Sequence, residues 1–259
     1  METLLQVDGV SKIFGGLAAL SNVEFSVGRG EIVGLIGPNG AGKTTAFNVI
    51  SGTHPPTAGR VRFKGVDVTG GPPSRVVRLG LARTFQATSI YPAVSVEENL
   101  YRGALAAIDT GLLNQLLNGV RTRQAVVRAR DNVENVIETM GLAQFRHTLA
   151  GGLSYGYQKR LGVAVALATK PELLLLDEPA AGLNPEESAE FGRLLRALRS
   201  RMNLTLLLVE HHMALVMDLC ERIVVLVQGE KIAEGSPEQI REDPLVIEAY
   251  LGAPEYAHA

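Results

Sequence analysis

Residues 37–45 of this 259-residue chain read GPNGAGKTT, and they follow directly on the compact apolar run EIVGLIG at 31–37. The glycine, lysine and threonine positions fit the spacing G-x-x-x-x-G-K-[ST], which predicts a buried strand, a tight loop and then a helix. Glycine lets the loop backbone approach a ligand closely, so that successive amide groups can surround a phosphate. The helix after the loop adds a partial positive charge at the same point. The stretch therefore predicts an α/β fold around a triphosphate site.

The charged and hydroxyl residues of this loop have separate predicted roles. Lys43 supplies a full positive charge to the β and γ phosphates, and Thr44 offers a hydroxyl to Mg²⁺. An ordinary glycine turn between a strand and a helix is the alternative interpretation. The predicted nucleotide-binding residues here are Gly37, Pro38, Asn39, Gly40, Ala41, Gly42, Lys43, Thr44 and Thr45.

An acidic pair, Asp177 and Glu178, ends the apolar run LLLLD at 173–177. Ligands of open α/β sheets bind at the carboxyl ends of the strands, so Asp177 is placed to hold Mg²⁺ through a water molecule. Glu178 points the other way and could polarise an attacking water. The alternative is an acidic pair that only ends a strand at the surface, but the phosphate loop upstream favours the catalytic interpretation.

The segment LSYGYQ at 153–158 precedes a helical stretch. Ser154 can cap that helix, and Gly156 lets backbone amides approach an anion. A capped helix with nothing bound is the alternative, and by itself it would be preferred. The position of the segment favours the anion-binding interpretation, because Ser154 lies 23 residues before Asp177, the length of one helix and a short turn.

The remaining patterns predict one domain, residues 1–259, with a P-loop NTPase (RecA-like) core. We expect a parallel α/β core over roughly 28–86 and 160–259, and a helical insertion over roughly 87–155. Alternating apolar residues at the N-terminus predict an antiparallel β subdomain. The sequence also predicts a chain break at GGPPS (70–74) and hairpins at 60–70 and 222–235. A capping box from Ser95 to Glu98 predicts a helix start, and an apolar stripe that includes Val127 predicts a helix that stops at Gly141.

Composition excludes some classes of protein. The chain has 25 Lys and Arg against 27 Asp and Glu, a net charge of −2, which excludes a globally basic nucleic-acid binder. The one cysteine, Cys220, excludes an intrachain disulfide, fits a reducing compartment and is expected in the core. No apolar stretch reaches 18 residues, and the N-terminus lacks a leader pattern. We therefore expect a cytoplasmic protein that reaches a membrane through a partner or a surface helix.

Together these motifs resemble those of ABC-transporter ATP-binding subunits, over essentially the whole chain. The shared motifs, in order, are GPNGAGKTT, RTFQ, LSYGYQKR, LLLLDEP, AGLNP and VEH. The segment GLARTFQ, the tyrosine in the signature and the ending PEQIREDPLVIEAYLG resemble the G-type ATPase of branched-chain (hydrophobic) amino acid importers. Importers of urea, amides or aromatic acids have similar ATPases and stay as alternatives.

The resemblance implies roles for further residues. Gln86 would sense Mg²⁺ and the γ-phosphate at the hinge to the helical insertion, and would complete the metal set with Thr44 and Asp177. His211 would contact the γ-phosphate, and Phe14 would stack on adenine. The signature that reaches the partner's nucleotide would be Leu153, Ser154, Tyr155, Gly156 and Tyr157, and the D-loop residue would be Asn184.

Four positions depart from the family pattern. Tyr155 and Tyr157 replace a glycine and the glutamine of LSGGQ, Asn184 stands where an aspartate is common, and His212 follows the switch histidine in place of an acid. None of these replaces Lys43, Asp177 or Glu178, so an active ATP hydrolase is expected.

The resemblance also implies an assembly. Two ATPase subunits, identical or related, would meet head to tail on integral membrane permease subunits at the cytoplasmic face of the plasma membrane. A solute-binding protein would take part indirectly, and no nucleic acid is expected. Two functions outside transport stay open: a soluble ABC ATPase of DNA repair or translation, and a module that binds ATP without hydrolysing it. A single phosphate loop without sustained heptads counts against the first, and Glu178 with His211 counts against the second.

Overall fold

The computed structural model describes residues 2–84, 90–106 and 120–251. Gln86 lies outside the described residues, so its predicted role at the hinge has no structural account. The strands are β1 (Thr3–Phe14), β2 (Leu17–Gly28), β3 (Ile32–Ile36), β4 (Ala58–Phe63), β5 (Val66–Asp67), β6 (Leu81–Arg83), β7 (Leu173–Asp177), β8 (Thr205–Val209), β9 (Arg222–Val227) and β10 (Glu230–Gly235). The helices are α1 (Lys43–Ile50), α2 (Pro73–Leu79), α3 (Val96–Ala106), α4 (Val120–Thr139), α5 (Tyr155–Leu167), α6 (Pro185–Met202), α7 (Met213–Leu219), α8 (Pro237–Glu242) and α9 (Pro244–Leu251).

A six-stranded sheet forms the centre of the fold, in the order β10-β9-β3-β8-β7-β6. Its neighbouring strands are parallel except at the β10–β9 hairpin. Strand β7 shows why continuous apolar runs suit this sheet. Leu174 and Leu176 pack against helices on one face, whereas Leu173 and Leu175 pack into a second core on the other face. Both faces are covered, so every residue of the strand is buried.

The predicted N-terminal β subdomain is an antiparallel sheet in the order β2-β1-β4-β5. Helix α1 packs in the same core as this sheet, where Phe47 of the helix and Phe63 of β4 are both fully buried. The hairpins predicted at 60–70 and 222–235 correspond to β4–β5 and β9–β10. The fold class predicted from the sequence is therefore confirmed.

The helical layer between β6 and β7 departs from the prediction at one residue. Helix α4 buries Ala129, Val133, Val136 and Ile137, and Gly141, with φ 66°, follows its end. Val127 is 58% exposed, although the predicted stripe includes it. At 3.6 residues per turn, Val127 lies on nearly the opposite side of the helix from Ala129.

Helix α2 is an element that the sequence analysis missed. The GGPPS stretch predicts only a break, but the helix begins at Pro73 within it. Proline is tolerated in the first turn, because an amide hydrogen there has no intrahelical acceptor. Gly80, with φ 101°, ends the helix directly before β6.

Candidate active site

The phosphate loop, residues 37–45, connects the end of β3 to the start of α1. Two of its glycines are required by close packing. A Cβ atom on Gly37 would overlap the carbonyl oxygen of Leu226, and one on Gly42 would lie 2.5 Å from the carbonyl oxygen of Ala19. Both glycines also have positive φ angles, 151° and 98°. The motif's glycines therefore allow the loop to pass tightly beside β9 and β2.

Lys43 lies inside this loop and is only 6% exposed. Its Nζ donates hydrogen bonds to the carbonyl oxygens of Gly37 and Pro38, at 2.7 and 2.9 Å. Gly42, the N-cap of α1, has no side chain to cap the helix. The first amides of a helix have no intrahelical acceptor, so the loop combines a buried ammonium with backbone donors suited to an anion.

Glu178 and His211 face each other at the carboxyl ends of β7 and β8. Glu178 Oε1 and His211 Nε2 lie 2.8 Å apart. Both side chains line a cleft of 710 Å³ together with residues 39–45 of the phosphate loop. This volume is within the range that small-molecule sites occupy. The topology therefore places a carboxylate–histidine pair opposite a phosphate-binding loop.

Asp177 turns away from Glu178 into a buried ion pair. Its Oδ2 lies 2.8 Å from Nη2 of Arg83, and the two side chains are 2% and 7% exposed. Arg83 also donates to the side chains of Asn48 and Ser51, so it connects the end of β6 to α1. The Oδ1 atom of Asp177 is buried and has no hydrogen-bond partner in the described part of the chain. One carboxylate oxygen of Asp177 is thus unsatisfied within the described residues.

Sequence reasoning missed Arg83 and a second buried group, Glu210. Glu210 is 3% exposed and accepts hydrogen bonds from the backbone amides of Ala180, at 2.7 Å, and His211, at 3.2 Å. Burial raises the pKa of the Glu210 carboxyl. Its carboxylate links the turn after Glu178 to the segment that carries His211. No local signal identifies it, because an acid after an apolar run usually lies at the surface.

The predicted signature residues, 153–157, lie at the start of α5 and are not among the described residues that line the cleft. Ser154 takes the N-cap backbone conformation of α5, but its side chain makes no capping hydrogen bond there. The predicted N-cap position of Ser154 is therefore confirmed, but the side-chain hydrogen bond expected there is absent. The ring of Tyr157 packs against Phe145, with 4.5 Å between centroids, beside the core that holds Leu153.

Asn184 and His212, two of the departures, have structural roles. The Asn184 side chain accepts a hydrogen bond from the Glu187 amide, at 2.9 Å, and the Glu187 carboxylate accepts one from the Asn184 amide. This capping box begins α6. Nδ1 of His212 lies 2.9 Å from the hydroxyl of Ser188, whereas His211 is the histidine that faces Glu178.

Phe14 lies at the end of β1, and its ring is edge-on to His54 with centroids 5.7 Å apart. It is not among the described residues that line the cleft. The other described residues that line the cleft are Leu17, Ala18, Ala19 and Gln228, which sequence reasoning did not single out. The stacking role of Phe14 stays a prediction.

A phosphate loop that shares a cleft with a carboxylate–histidine pair, on a parallel sheet, defines the class of P-loop nucleoside triphosphatases. Comparison with known proteins narrows the class. The family model "ABC transporter" matches residues 20–181, and the model "Branched-chain amino acid ATP-binding cassette transporter" matches residues 230–256. The chain belongs to the ABC transporter family, in which it is an ATP-binding and ATP-hydrolysing subunit.

Individual relatives agree with this assignment over nearly the full chain. The chain is 44% identical to the high-affinity branched-chain amino acid transport ATP-binding protein LivG of Escherichia coli K12, covering 97% of this chain and 98% of that one. It is 42% identical to the high-affinity branched-chain amino acid transport ATP-binding protein BraF of Pseudomonas aeruginosa, covering 96% of this chain and 98% of that one. Among solved structures, the chain matches the ADP conformation of MJ1267, an ATP-binding cassette of an ABC transporter, with a TM-score of 0.85 and 30% identity. The match covers 98% of this chain and 100% of that one.

The predicted family is therefore confirmed. No helix within the described ranges is both long enough and apolar enough to cross a bilayer.

Proposed function

We propose that the chain hydrolyses ATP to energise an importer of branched-chain or other hydrophobic amino acids. The support for this substrate class is the similarity to relatives named as branched-chain amino acid transport ATP-binding proteins, together with the match at residues 230–256. The cleft itself is built for a nucleotide. The transported solute is therefore inferred from the relatives, and the chemistry from the site.

One observation carries the catalytic proposal: Glu178 and His211 are hydrogen-bonded at 2.8 Å in the same cleft as the phosphate loop. Glu178 accepts a proton from the attacking water, and His211 orients the Glu178 carboxylate and contacts the γ-phosphate. Lys43 and the first amides of α1 hold the phosphates. The hydrolysis step then requires only positioning and charge stabilisation from the protein.

The residues present also fit a Mg²⁺ ion. Thr44 contributes a hydroxyl at the cleft. Asp177 is not among the described residues that line the cleft, but its buried Oδ1 has no hydrogen-bond partner in the described residues. Hydroxyl and carboxylate oxygens are ligands that Mg²⁺ prefers. Gln86 is the third proposed ligand. When bound, the ion would neutralise charge on the β and γ phosphates.

A second ATPase subunit is part of the proposal, because the start of α5 lies outside the chain's own cleft. Ser154 has a hydroxyl that is not used to cap its own helix, and a helix N-terminus attracts anions. We propose that residues 153–157 of one subunit contact the ATP held by the other, in a head-to-tail pair. The two subunits, identical or related, would dock on permease subunits at the cytoplasmic face of the plasma membrane, with a solute-binding protein outside.

The catalytic proposal is tested by Glu178→Gln, with Glu24→Gln at an exposed position of β2 as the matched control. We expect ATP binding to persist, ATP-stabilised dimers to accumulate on gel filtration, and turnover to fall by about 10²-fold or more. The control should hydrolyse ATP at the normal rate. Full hydrolysis by the Glu178→Gln protein would refute the proposed base.

The substrate class is tested with the permease subunits that co-purify with the chain. The complex, reconstituted in vesicles with its solute-binding protein, should accumulate labelled leucine in an ATP-dependent manner. Labelled urea and an aromatic acid, supplied in parallel vesicles, distinguish the related importers. Accumulation of either compound without leucine would assign the chain to one of those importers instead.

A further inference from the structure

The backbone at Glu178 has an unusual conformation. Its φ angle is 48°, in the left-handed region that residues other than glycine rarely adopt. The next positive φ along this turn is at Gly182, 81°, where glycine is well suited. Such a conformation persists only where surrounding contacts fix it, and these sites often have a functional role. The contacts that hold this turn therefore decide where the Glu178 carboxylate lies.

Lys159, on the first turns of α5, makes one of these contacts. Its side chain is buried, with the residue 8% exposed. Nζ of Lys159 donates a hydrogen bond to the carbonyl oxygen of Glu178, at 3.3 Å, and lies 5.5 Å from the ring centroid of Tyr155. A buried ammonium is costly unless it has such partners. The charge is thus directed at the peptide of the proposed catalytic residue.

Tyr155, on the first turn of α5, contacts the far end of the same turn. A Cβ atom on Gly182 would lie 2.8 Å from Cε1 of the Tyr155 ring, so the ring packs directly on this glycine. Tyr155 is also half exposed, which is unusual for a side chain that serves only the core. A glycine at position 155, as in the LSGGQ pattern, has no side chain to make this contact.

We infer that Lys159 and Tyr155 are positioning residues that hold the turn from Glu178 to Gly182 and thereby keep the Glu178 carboxylate against His211. Neither lies among the described residues that line the chain's own cleft, so at that cleft both act through Glu178. The inference rests on the proposed role of Glu178 as base. It also links two sites, because the same turn of α5 is proposed to contact the nucleotide of the second subunit.

Lys159→Met tests the charge, because methionine keeps most of the buried stem and removes the donor. We expect kcat for ATP hydrolysis to fall about tenfold while KM for ATP stays within about twofold, since the variant misplaces the base and leaves the phosphate loop intact. Lys159→Arg keeps a donor and should recover most of the activity. Lys231→Met, on edge strand β10, is the matched control and should keep the normal kcat.

A double-mutant cycle tests the tyrosine independently of Lys159. Gly182→Ala places a methyl group against the Tyr155 ring, and Tyr155→Gly removes that ring. If the contact positions the turn, Gly182→Ala should lower kcat several-fold more in the normal background than in the Tyr155→Gly background. Additive effects on kcat would overturn the role of Tyr155.

Normal kcat in Lys159→Met, or loss that Lys159→Arg does not recover, would overturn the role of Lys159. These outcomes are distinct from failure of the proposed function. If Glu178→Gln still hydrolyses ATP, the catalytic role of Glu178 is wrong. If Glu178→Gln is inactive while Lys159→Met is fully active, only the positioning inference fails.

Discussion

Replacing Arg83 by methionine tests how the carboxyl end of β7, which carries Asp177, is stabilised. The guanidinium of Arg83 and the carboxylate of Asp177 form a buried pair at 2.8 Å, with both side chains less than a tenth exposed. Methionine occupies part of the volume and supplies no charge. The variant therefore leaves the Asp177 carboxylate in the interior without its cation.

Removing one partner of a buried ion pair costs about 3 kcal/mol or more, because the remaining charge is uncompensated. For a chain of this size that loss corresponds to a fall in Tm of about 6–12 °C. Arg83→Met with Asp177→Asn leaves no buried charge at this point, so the double variant should be more stable than Arg83→Met alone. Arg60→Met, at an exposed position of β4, should change stability by less than about 0.5 kcal/mol.

Urea unfolding without nucleotide, followed by circular dichroism, measures the free energy of unfolding of the normal chain, both single variants, the double variant and the Arg60→Met control. The double-mutant cycle then isolates the coupling between the two side chains. A loss below about 1 kcal/mol in Arg83→Met would contradict the buried-pair argument. A double variant that loses as much unfolding free energy as the two single variants together would also contradict the argument.

Three other measurements address different parts of the chain. Ser154→Arg should leave ATP binding by the single subunit intact and lower turnover at saturating ATP, because the change lies at the partner's proposed site; unchanged turnover would contradict the head-to-tail pair. Burial raises the pKa of the Cys220 thiol to about 12, so a thiol reagent should label native protein only at the rate of unfolding, and rapid labelling would place Cys220 outside the core. Hydrogen bonds from Lys64 and Arg29 hold the pKa of Glu172 below its ordinary value of 4.5. The ionised carboxylate therefore stabilises the fold above that pH, and this stabilisation is lost as the pH falls through the folded-state pKa. The difference in unfolding free energy between the normal chain and Glu172→Gln should therefore shrink as the solution is acidified, and a constant difference would contradict this assignment.

The parts of the fold that sequence reasoning predicted well are those set by local pattern. Strands β3, β7 and β8 are apolar runs that the sheet buries on both faces, so their sequence shows the burial directly. The phosphate loop is similarly local, because its glycines are needed where the chain passes close to β9 and β2. Pattern and spacing in the sequence were therefore sufficient to predict both the buried strands and the phosphate loop.

Contacts between distant parts of the chain were not predictable in this way. Arg83 and Asp177 are far apart in sequence, and the pair forms because β6 and β7 are neighbours in the sheet. Glu210 lies between an apolar strand and a histidine, and only the fold shows that its carboxylate accepts from Ala180. Ser154 stands at the predicted N-cap position, but the expected side-chain hydrogen bond is absent for a related reason: its position at the helix start is local, whereas the orientation of its hydroxyl is not.

The turn after Glu178 is where these long-range contacts converge. Lys159 of α5 bonds the Glu178 carbonyl, and Glu210, after β8, bonds the Ala180 amide. Asn184 then fixes the end of the turn as the cap of α6. The position of the Glu178 carboxylate thus depends on contacts from several separate elements. Since the start of α5 is proposed to contact the ATP of the second subunit, closure of the pair would change the surroundings of Glu178 directly. A dependence of hydrolysis on closure would then follow from the packing of this one turn.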